Sequence, residues 1–300
     1  MYDVVIVGGG PAGLTAAIYL ARYHLSVLVV DDGNSRAELI PKSRNLPGFP
    51  DGISGPDLLK RMRRQAAIYG VAHRRDTSQE IQREKQKFIA VLHHEKVDCS
   101  TVILATGVVN RRPDMPRDMH DKGLKQGLIR YCPICDGYEV TDKPIAVIGS
   151  DTHAVNEAEF LRSYSADVTL ISPHAPSSLN ESHRLKLEKL GVKVVIGPCE
   201  FSISEDLISV CVPAGKFNFS SIYPALGSDV RSDLAIALDV RVSPEGCLIV
   251  DSHQSTNIEG LYAAGDVVWG LDQISSAVGH ASVAATAIRN RLSQHRSLLR

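Results

Sequence analysis

Short apolar runs alternate with helical stretches at the start of the chain. Residues 3–7 have the composition of a strand buried on both faces. Residues 14–23 predict a helix, and residues 26–30 predict a second apolar strand, which Asp31 follows. This order predicts a βαβ unit with parallel strands and a right-handed crossover.

The same order recurs near the middle of the chain. Residues 144–148 predict a strand, residues 149–154 a turn, residues 155–164 a helix and residues 167–171 another strand. Two such units predict an α/β protein with two Rossmann-like, three-layer nucleotide-binding domains.

The remaining apolar segments complete both domains. Small and apolar residues at helical spacing predict a closing helix over residues 273–292. Further short strands are predicted at residues 101–104, 221–226, 247–250 and 260–264.

Turn-rich segments near Arg112 and Arg241 predict the domain boundaries. The first domain would then be discontinuous, with residues 1–112 and 242–300, and residues 113–241 would form an inserted second domain.

One segment, residues 4–21, carries no formal charge and approaches the length of a membrane-spanning helix. The sequence GGGP at residues 8–11 would break such a helix, and residues 1–3 lack the basic region of a signal peptide. We therefore expect a strand, a turn and a helix here, in a soluble cytoplasmic protein with no membrane segment.

Charge and cysteine content exclude further classes. The 300 residues include 33 Lys and Arg and 34 Asp and Glu, a net charge of −1. No basic field is available to attract nucleic acid or anionic lipid. Six cysteines are too few for a disulfide-stapled secreted scaffold.

The turn after the first strand has the glycine spacing of a dinucleotide-binding fingerprint. Gly8 permits the sharp turn, Gly10 lets the backbone approach a pyrophosphate, and Gly13 lets the helix pack on the strand. The following helix N-terminus favours negative charge. Asp31 is placed to accept a hydrogen bond from a ribose hydroxyl. We predict a bound dinucleotide here; the alternative is a turn that only connects strand to helix.

The corresponding second turn departs from this fingerprint. Gly149 is kept and Ala154 can serve for packing, but Asp151 occupies the middle glycine position. Its carboxylate adds bulk and negative charge where a pyrophosphate would approach. Between residues 171 and 180 only His174 could meet a 2′-phosphate, and it is mostly neutral at pH 7. The pattern favours a scaffold that has lost its nicotinamide site over a working site.

Cys132 and Cys135 have a spacing that suits a small redox disulfide or half of a zinc site. A structural zinc needs two more ligands, and neither His120 nor His153 shows ligand spacing. The redox pair is favoured, with no metal, and Asp136 could carry the thiol proton or be a solvated turn residue. The other cysteines are interpreted as buried or inert thiols: Cys99, Cys199, Cys211 and Cys247.

Together these motifs resemble the low-molecular-weight thioredoxin reductase family over essentially the whole chain. The CPICDG motif directly before the second Rossmann strand is the most specific match. The other matching segments are GGGPAG at 8–13, NLPGFP at 45–50, ATG at 105–107, the second Rossmann turn and GD at 265–266.

The resemblance implies a homodimer with FAD in the first domain. Asn45 would lie near the flavin and Asp266 on the ribityl chain, and the closing helix would face the pyrimidine end of the flavin. The residues that the resemblance assigns to cofactor binding are Gly8, Gly10, Pro11, Ala12, Gly13, Asp31, Asn45, Thr106, Gly107, Gly265, Asp266, Gln273 and Ile274.

The resemblance also implies roles for the redox motif. Cys135 would be the thiol nearest the flavin, Cys132 the interchange thiol that meets the partner, and Asp136 the acid and base. Family members rotate one domain against the other, so that the flavin meets either the disulfide or the nicotinamide.

The departures from the family pattern concentrate on pyridine-nucleotide use. Residues 149–151 (GSD) replace a Gly-x-Gly start, and residues 172–174 (SPH) replace a His-Arg-Arg run. Residues 272–274 (DQI) replace Arg-Gln-Ala, and His280 is also unusual. The departures argue against use of NAD(P)H, whereas the flavin and disulfide motifs are complete.

Three functions therefore compete. A reductase would pass electrons from flavin through the cysteine pair to a thioredoxin-like protein, with weakly bound NAD(P)H or reduced ferredoxin as donor. A dithiol oxidase would run in the opposite direction, from a small-molecule dithiol to oxygen, and His280 could hold a proton for it, although a structural histidine is favoured. A non-catalytic flavoprotein redox sensor is the third.

Overall fold

The computed structural model describes residues 1–85, 87–173 and 179–298. Contacts divide the chain into two compact units. The first unit comprises Met1–Leu39, Ser54–Val109 and Val230–Arg300, and the second comprises Ile40–Ile53 and Asn110–Asp229.

A seven-stranded sheet forms the centre of the first unit. Its strands are β1 (Tyr2–Val7), β2 (Val27–Val30), β3 (Ala72–Arg74), β4 (Ser78–Glu84), β5 (Lys87–Leu92), β6 (Lys96–Leu104) and β16 (Leu261–Ala263). The order is β3-β2-β1-β6-β5-β4, with β16 also paired to β6. Only the β4–β5 and β5–β6 pairs are antiparallel. β1 is almost entirely buried, as expected for a parallel strand covered on both faces.

The described helices of the first unit are α1 (Pro11–Arg22), α2 (Gly55–Ile68), α7 (Asp233–Ile236) and α8 (Ile274–His295). α1 packs against α8 through small side chains, among them Ala16, Ala17, Ala281 and Ala284, in one buried cluster. Alanine on both helices permits close backbone approach, and this packing fixes the start of α8 next to the first glycine turn.

The second unit contains a parallel sheet of the order β10-β9-β8-β14 and a separate antiparallel sheet of β11, β12 and β13. The strands are β8 (Ile145–Ile148), β9 (Val168–Ser172), β10 (Lys193–Ile196), β11 (Glu200–Ile203), β12 (Ile208–Val212), β13 (Gly215–Phe219) and β14 (Ser221–Pro224). The described helices are α3 (Arg117–Lys125), α4 (Pro133–Asp136), α5 (Thr152–Leu161) and α6 (Glu181–Lys189). β7 (Val108–Asn110) pairs with β15 (Ser228–Val230).

The structure confirms the α/β class and both predicted βαβ units. β1 runs parallel to β2, with Val4 opposite Val27, and β8 runs parallel to β9, with Ile145 opposite Val168. α1 begins at Pro11 rather than at residue 14, because proline suits the first helical position, where its missing N–H is not needed.

The strand predicted at residues 247–250 is wrong. Only Leu248 bridges other segments, one residue at a time, at Val242 and Val268. The backbone N–H of Cys247 donates to the Ser243 hydroxyl, so a side chain takes the place of a ladder partner.

The predicted limits of the inserted domain, residues 113–241, also differ from the observed division. The second unit ends at Asp229 rather than at residue 241, because Ala235 and Val240 are buried in a core cluster of the first unit. Ile40–Ile53 belongs to the second unit by its contacts, and its Arg44 forms an ion pair with Glu139.

The segment at residues 4–21 forms the predicted strand, turn and helix. Among the described residues, no helix combines the length and apolar character needed to cross a membrane.

Candidate active site

Cys132 and Cys135 form a disulfide in the second unit. Proline at the first position of the single-turn helix α4 favours the start of a helix directly after Cys132. The N–H groups of Cys135 and Asp136 both donate to the Cys132 carbonyl oxygen, over 2.9 and 3.2 Å. Local backbone structure therefore holds the two cysteines at a Cα separation of 5.2 Å.

Asp136 lies directly beside this pair and has two side-chain partners. Arg130 Nη1 is 2.9 Å from Asp136 Oδ2, and the Tyr223 hydroxyl donates to Asp136 Oδ1 over 3.1 Å. Burial raises the pKa of Asp136, and the Arg130 charge opposes that rise without cancelling it. The carboxyl can therefore hold a proton closer to neutral pH than an ordinary aspartate does.

Arg130 and Tyr223 were missed by sequence reasoning, and both are fixed by the surrounding structure. Arg130 Nε donates to the Gly127 carbonyl and the Ser221 hydroxyl, over 2.9 and 3.1 Å. Tyr223 is fully buried on β14, and burial raises the pKa of its phenol. Tyr223 is therefore a constant hydrogen-bond donor to Asp136.

The first glycine turn has the shape of a phosphate cradle. A side chain at Gly13 would overlap the Gly8 carbonyl oxygen, and one at Gly9 would overlap the Asp31 carboxylate. Gly10 caps α1 without any side-chain hydrogen bond to the helix N-terminus. An anion can therefore approach the first N–H groups of α1, including those of Ala12 and Gly13, so this turn fits a dinucleotide pyrophosphate.

Asp31 fixes this turn from behind, because its Oδ1 accepts a hydrogen bond from the Gly9 N–H over 3.1 Å. Burial opposes ionisation, but hydrogen bonds from His73 and from the Gly9 and Gly33 backbone, with the nearby Arg63 charge, lower the pKa overall. Asp31 is a buried carboxylate that keeps its charge.

Further predicted cofactor residues gather at the same end of the first unit. A side chain at Gly265 would contact Ala12 at 2.9 Å, so the Gly265 backbone lies against the start of α1. Gly107 has a φ of +67°, which favours glycine. The Thr106 hydroxyl donates to the Arg231 carbonyl over 2.6 Å.

Arg36 joins two carboxylates next to this cradle and was missed by sequence reasoning. Its Nη1 lies 3.1 Å from Asp266 and 2.8 Å from Asp272. Burial, followed by the charge of Asp266, raises the pKa of Asp272, and Arg36 partly counteracts both. Asp272 stands where the family pattern has arginine, and Arg36 supplies the positive charge that pairs with it.

The start of α8 carries the last predicted cofactor residues. Gln273 is the N-cap and makes no side-chain cap bond to the helix, and Ile274 is the first helical residue. Later in this helix, the buried Nδ1 of His280 has no hydrogen-bond partner among the described residues. Burial lowers the pKa of His280, which favours the neutral ring.

The predicted location of Asn45 in the first domain differs from its observed contacts. It lies in the second unit, where its Oδ1 accepts a hydrogen bond from the Ser43 hydroxyl over 3.1 Å. Asn45 and Cys135 line the same cavity. The reason is that Ile40–Ile53 packs on the second unit and carries Asn45 with it.

At the second glycine turn, Asp151 is the N-cap of α5 and accepts a hydrogen bond from the Ala154 N–H over 3.0 Å. The carboxylate thus occupies a helix N-terminus that would otherwise bind phosphate. Behind the turn, the Ser150 and Ser172 hydroxyls hydrogen-bond to each other at 2.8 Å. His174, the predicted 2′-phosphate contact, lies outside the described residues.

Of the four single cysteines, Cys99 is buried and Cys199, Cys211 and Cys247 are half-buried. Burial raises the pKa of Cys99 to about 12 and also raises the pKa of Cys199 and Cys247. A raised pKa disfavours the reactive thiolate, which agrees with the interpretation of these three as buried or inert thiols.

The chain matches one protein family and is similar to several known thioredoxin reductases. Residues 2–285 match the family described as pyridine nucleotide-disulphide oxidoreductase. The thioredoxin reductase of Mycolicibacterium smegmatis is 31% identical over 280 residues, which cover 89% of each chain. That of Aquifex aeolicus is 28% identical and covers 96% of this chain and 91% of its own. The thioredoxin reductase structure from Streptococcus pyogenes aligns with a TM-score of 0.88 at 27% identity, over 98% of this chain and 99% of its own.

Proposed function

Because the chain belongs to the pyridine nucleotide-disulphide oxidoreductase family, we propose that it exchanges electrons between FAD and the Cys132–Cys135 pair. It is a thioredoxin-reductase-like flavin disulfide oxidoreductase. A thioredoxin-like protein disulfide is the partner suggested by the names of the relatives. The observation that carries the proposal is the Cys132–Cys135 disulfide with the proton-holding carboxyl of Asp136 next to it.

The cofactor side of the proposal rests on the first unit. The open N-terminus of α1, the turn fixed by Asp31, and Gly265 with Asp266 would hold FAD. When bound, FAD supplies a two-electron redox centre. Thr106, Gly107, Gln273 and Ile274, which belong to the same unit, complete the proposed contacts.

The proposed proton transfers to and from the cysteines depend on Asp136. Reduction of a disulfide releases thiolates, which need protons, and oxidation of a dithiol returns them. With its raised pKa, Asp136 can donate a proton to the leaving cysteine and accept it again on reoxidation. Arg130 and Tyr223 hold the carboxyl in place during both steps.

The capped second turn favours a route that does not begin with NADPH. Asp151 places a negative charge at the N-terminus of α5, where a pyrophosphate would be repelled. Reduced ferredoxin or a dithiol could supply the electrons instead. The second candidate function is therefore a dithiol oxidase, in which a dithiol reduces the cysteine pair and oxygen accepts the electrons to form peroxide. A homodimer in the cytoplasm completes the proposal.

An anaerobic titration tests these alternatives. The FAD-loaded protein is mixed under argon with NADPH, NADH or dithiothreitol, and the loss of flavin absorbance is followed. We expect dithiothreitol to bleach the flavin much faster than either nucleotide. Rapid bleaching by stoichiometric NADPH would refute the loss of the nicotinamide site.

Air is then admitted to the bleached protein. Rapid recovery of the yellow colour with formation of peroxide supports the oxidase. Slow recovery supports a reductase, with reduced ferredoxin tested as its donor, and a change of conformation without turnover supports a redox sensor.

A matched pair of variants tests whether electrons pass through the Cys132–Cys135 pair. Cys135→Ser should abolish bleaching by dithiothreitol, because the disulfide cannot form. Cys211→Ser, which removes a free cysteine of β12, should bleach like the unmodified protein. Bleaching that persists in Cys135→Ser means that the cysteine pair is not the route.

A further inference from the structure

Tyr131 directly precedes Cys132 in the chain, and its phenol is held by a buried histidine. The Tyr131 hydroxyl lies 2.8 Å from His120 Nε2, and the centroids of the two rings are 5.9 Å apart. His120 belongs to α3 and is 1% exposed. Both residues lie in the second unit. A buried polar pair is therefore coupled through one peptide bond to a cysteine of the redox disulfide.

The direction of this hydrogen bond follows from the surroundings of His120. Burial lowers the pKa of His120, the Asp121 carboxylate opposes this effect, and the Arg112 charge adds to it. The ring is therefore neutral near pH 7, with one nitrogen that donates and one that accepts. His120 Nδ1 faces the Asp121 carboxylate at 3.5 Å, which can only accept, so Nε2 accepts from the Tyr131 hydroxyl. Burial also raises the pKa of Tyr131, and its phenol remains a donor.

The segment before Tyr131 is fixed by two neighbouring elements. Ile129 pairs with Ile222 of β14, and the Arg130 N–H donates to the Ile222 carbonyl over 2.9 Å. On the other side, a side chain at Gly123 of α3 would overlap Ile129, so this helix lies directly against the segment. β14 and α3 therefore hold the chain as far as Arg130.

Tyr131 itself is held by its side chain. Among the described residues, no backbone hydrogen bond fixes Tyr131, whereas its phenol bonds to His120. The next backbone anchor is the Cys132 carbonyl, which accepts from the N–H groups of Cys135 and Asp136. The bond between Tyr131 and His120 thus fills the gap between the anchored segment and the redox helix α4.

This anchor matters most after the disulfide opens. In the oxidised protein, the Cys132–Cys135 bond ties the two sulfurs together. In the reduced protein this tie is lost: Cys135 remains within α4, but Cys132 lies at its N-cap, with an extended backbone. The bond from Tyr131 to His120 then continues to limit the movement of Cys132.

We propose that His120 and Tyr131 are positioning residues, which hold the Cys132 sulfur for attack on a protein disulfide. They act through the backbone, because the Tyr131 phenol meets α3 whereas the Cys132 sulfur faces Cys135. This inference rests on the proposed function, since it requires the cysteine pair to exchange electrons with a partner, and it adds two residues to that exchange.

The exchange that the pair assists needs no further reagent. The Cys132 thiolate attacks one sulfur of the partner disulfide, which forms a mixed disulfide and releases one partner thiolate. The Cys135 thiolate then attacks the Cys132 sulfur, which restores the Cys132–Cys135 disulfide and releases the second partner thiolate. The cysteine pair loses two electrons and two protons, and the partner gains both.

A thioredoxin in its disulfide form tests the proposal. The FAD-loaded protein is reduced under argon with dithiothreitol, freed of the reagent and mixed with increasing concentrations of this thioredoxin. Reduction of thioredoxin in a single turnover is followed by alkylation and mass spectrometry. We expect Tyr131→Phe to lower the maximal rate by roughly tenfold, because a displaced sulfur attacks more slowly. The half-saturating concentration should stay within about twofold, because the variant leaves the docking of thioredoxin unchanged.

Two controls exclude general damage to the protein. Dithiothreitol attacks the oxidised pair, in which the disulfide itself holds both sulfurs, so it should bleach the flavin of Tyr131→Phe at the unmodified rate. Tyr23→Phe also removes a phenol hydroxyl, which hydrogen-bonds to the Thr286 hydroxyl at 3.3 Å in the first unit. It should reduce thioredoxin at the unmodified rate.

Two variants of His120 locate the effect at the hydrogen bond. His120→Gln keeps an acceptor for the phenol and should retain the maximal rate within about threefold. His120→Leu offers no acceptor and should reduce thioredoxin as slowly as Tyr131→Phe does. If His120→Leu fails to fold, the comparison of Tyr131→Phe with His120→Gln makes the same distinction.

A second measurement needs no protein partner. Equilibration with glutathione buffers reports how strongly the Cys132–Cys135 disulfide is favoured over the dithiol. Without its anchor, Cys132 gains freedom in the dithiol state. Tyr131→Phe should therefore lower the equilibrium constant for disulfide formation by roughly fivefold, the factor that corresponds to one typical hydrogen bond.

The outcomes separate this inference from the proposed function. An unchanged maximal rate in Tyr131→Phe, or equal slowing of thioredoxin reduction and of dithiothreitol bleaching, overturns the positioning role while the exchange stands. If the unmodified protein does not reduce thioredoxin, the glutathione equilibrium decides, and an unchanged constant in Tyr131→Phe overturns the role. Failure of dithiothreitol to reduce the flavin of the unmodified protein through the cysteine pair overturns the proposed function itself.

Discussion

Removal of Arg130 should destabilise the folded protein in a pH-dependent manner. Arg130→Gln takes the cation away from Asp136 but keeps a polar side chain. A cation within 4–6 Å lowers a carboxyl pKa by about 1–3 units, and Arg130 lies at 2.9 Å. The two side chains are 18% and 22% exposed, and a partly buried charged group that loses its partner costs about 1–3 kcal/mol of folding stability, which we expect near neutral pH.

The sign of the pH dependence follows from the direction of the shift. Burial already raises the pKa of Asp136 in the folded protein, so stability is fully present below the unfolded pKa and declines as pH rises through the folded pKa. Without Arg130 the folded pKa rises further, and the decline becomes deeper and extends to higher pH. The difference between variant and unmodified protein should therefore be smallest in acid, below the pKa of an unfolded aspartate, and largest at neutral to mildly alkaline pH.

Urea unfolding at saturating FAD measures this difference, with Arg111→Gln as the control. Arg111 pairs with Asp229 at 2.7 Å, but these side chains are 58% and 66% exposed, and such pairs contribute about 0–1 kcal/mol. Arg130 Nε also donates to the Gly127 carbonyl and the Ser221 hydroxyl, and neither acceptor changes its charge in this pH range. The loss of these two bonds therefore lowers the free energy of unfolding by the same amount at every pH. A loss in Arg130→Gln that is independent of pH, or no greater than that in Arg111→Gln at pH 8, would refute the reasoning.

Three further predictions concern the glycine turns and their neighbours. Asp151→Ser keeps a capping hydroxyl on α5 while removing the charge, so NADPH should bleach the flavin roughly threefold faster or more, with thermal stability almost unchanged; an unchanged rate contradicts the role assigned to the carboxylate. Arg36→Gln leaves two carboxylates without their shared cation, and because burial already raises the pKa of Asp272, release of FAD, measured by fluorescence, should increase as pH rises from about 5 to 8; release that does not vary with pH contradicts this. Gly13→Ala should abolish FAD binding, because the added side chain would overlap the Gly8 carbonyl oxygen. As a control, Gly279→Ala lies in open space on α8 and should raise the free energy of unfolding by about 0.5–1 kcal/mol. A Gly13→Ala protein that retains its full FAD content would show that this turn does not bind the pyrophosphate.

Local patterns predicted the two βαβ units well. The spacing of Gly8, Gly10 and Gly13 between an apolar strand and a helix depends on short-range sterics, which a sequence displays directly. The same holds for the capping role of Asp151, which its place before a helix could have indicated. The bulk and charge of Asp151 do not by themselves reveal the cap.

The environment of Asp136 could not be predicted in this way. Tyr223 reaches it because β14 pairs with β8, with Tyr223 opposite Val147, and this pairing joins distant segments. Arg36 meets Asp266 and Asp272 for a similar reason, across more than half of the chain. Such partners depend on tertiary packing, for which single-sequence periodicity carries no signal.

The hydrogen bond from the Gly9 N–H to Asp31 has a consequence for how the protein acquires its cofactor. The glycine turn is held in shape by the chain's own groups, so binding a nucleotide has little backbone left to order. Ordering a flexible loop costs conformational entropy, which usually weakens binding. Here that cost is met during folding rather than during binding. We expect the apoprotein to be a folded receptor that takes up FAD directly, and not a chain that becomes ordered around it.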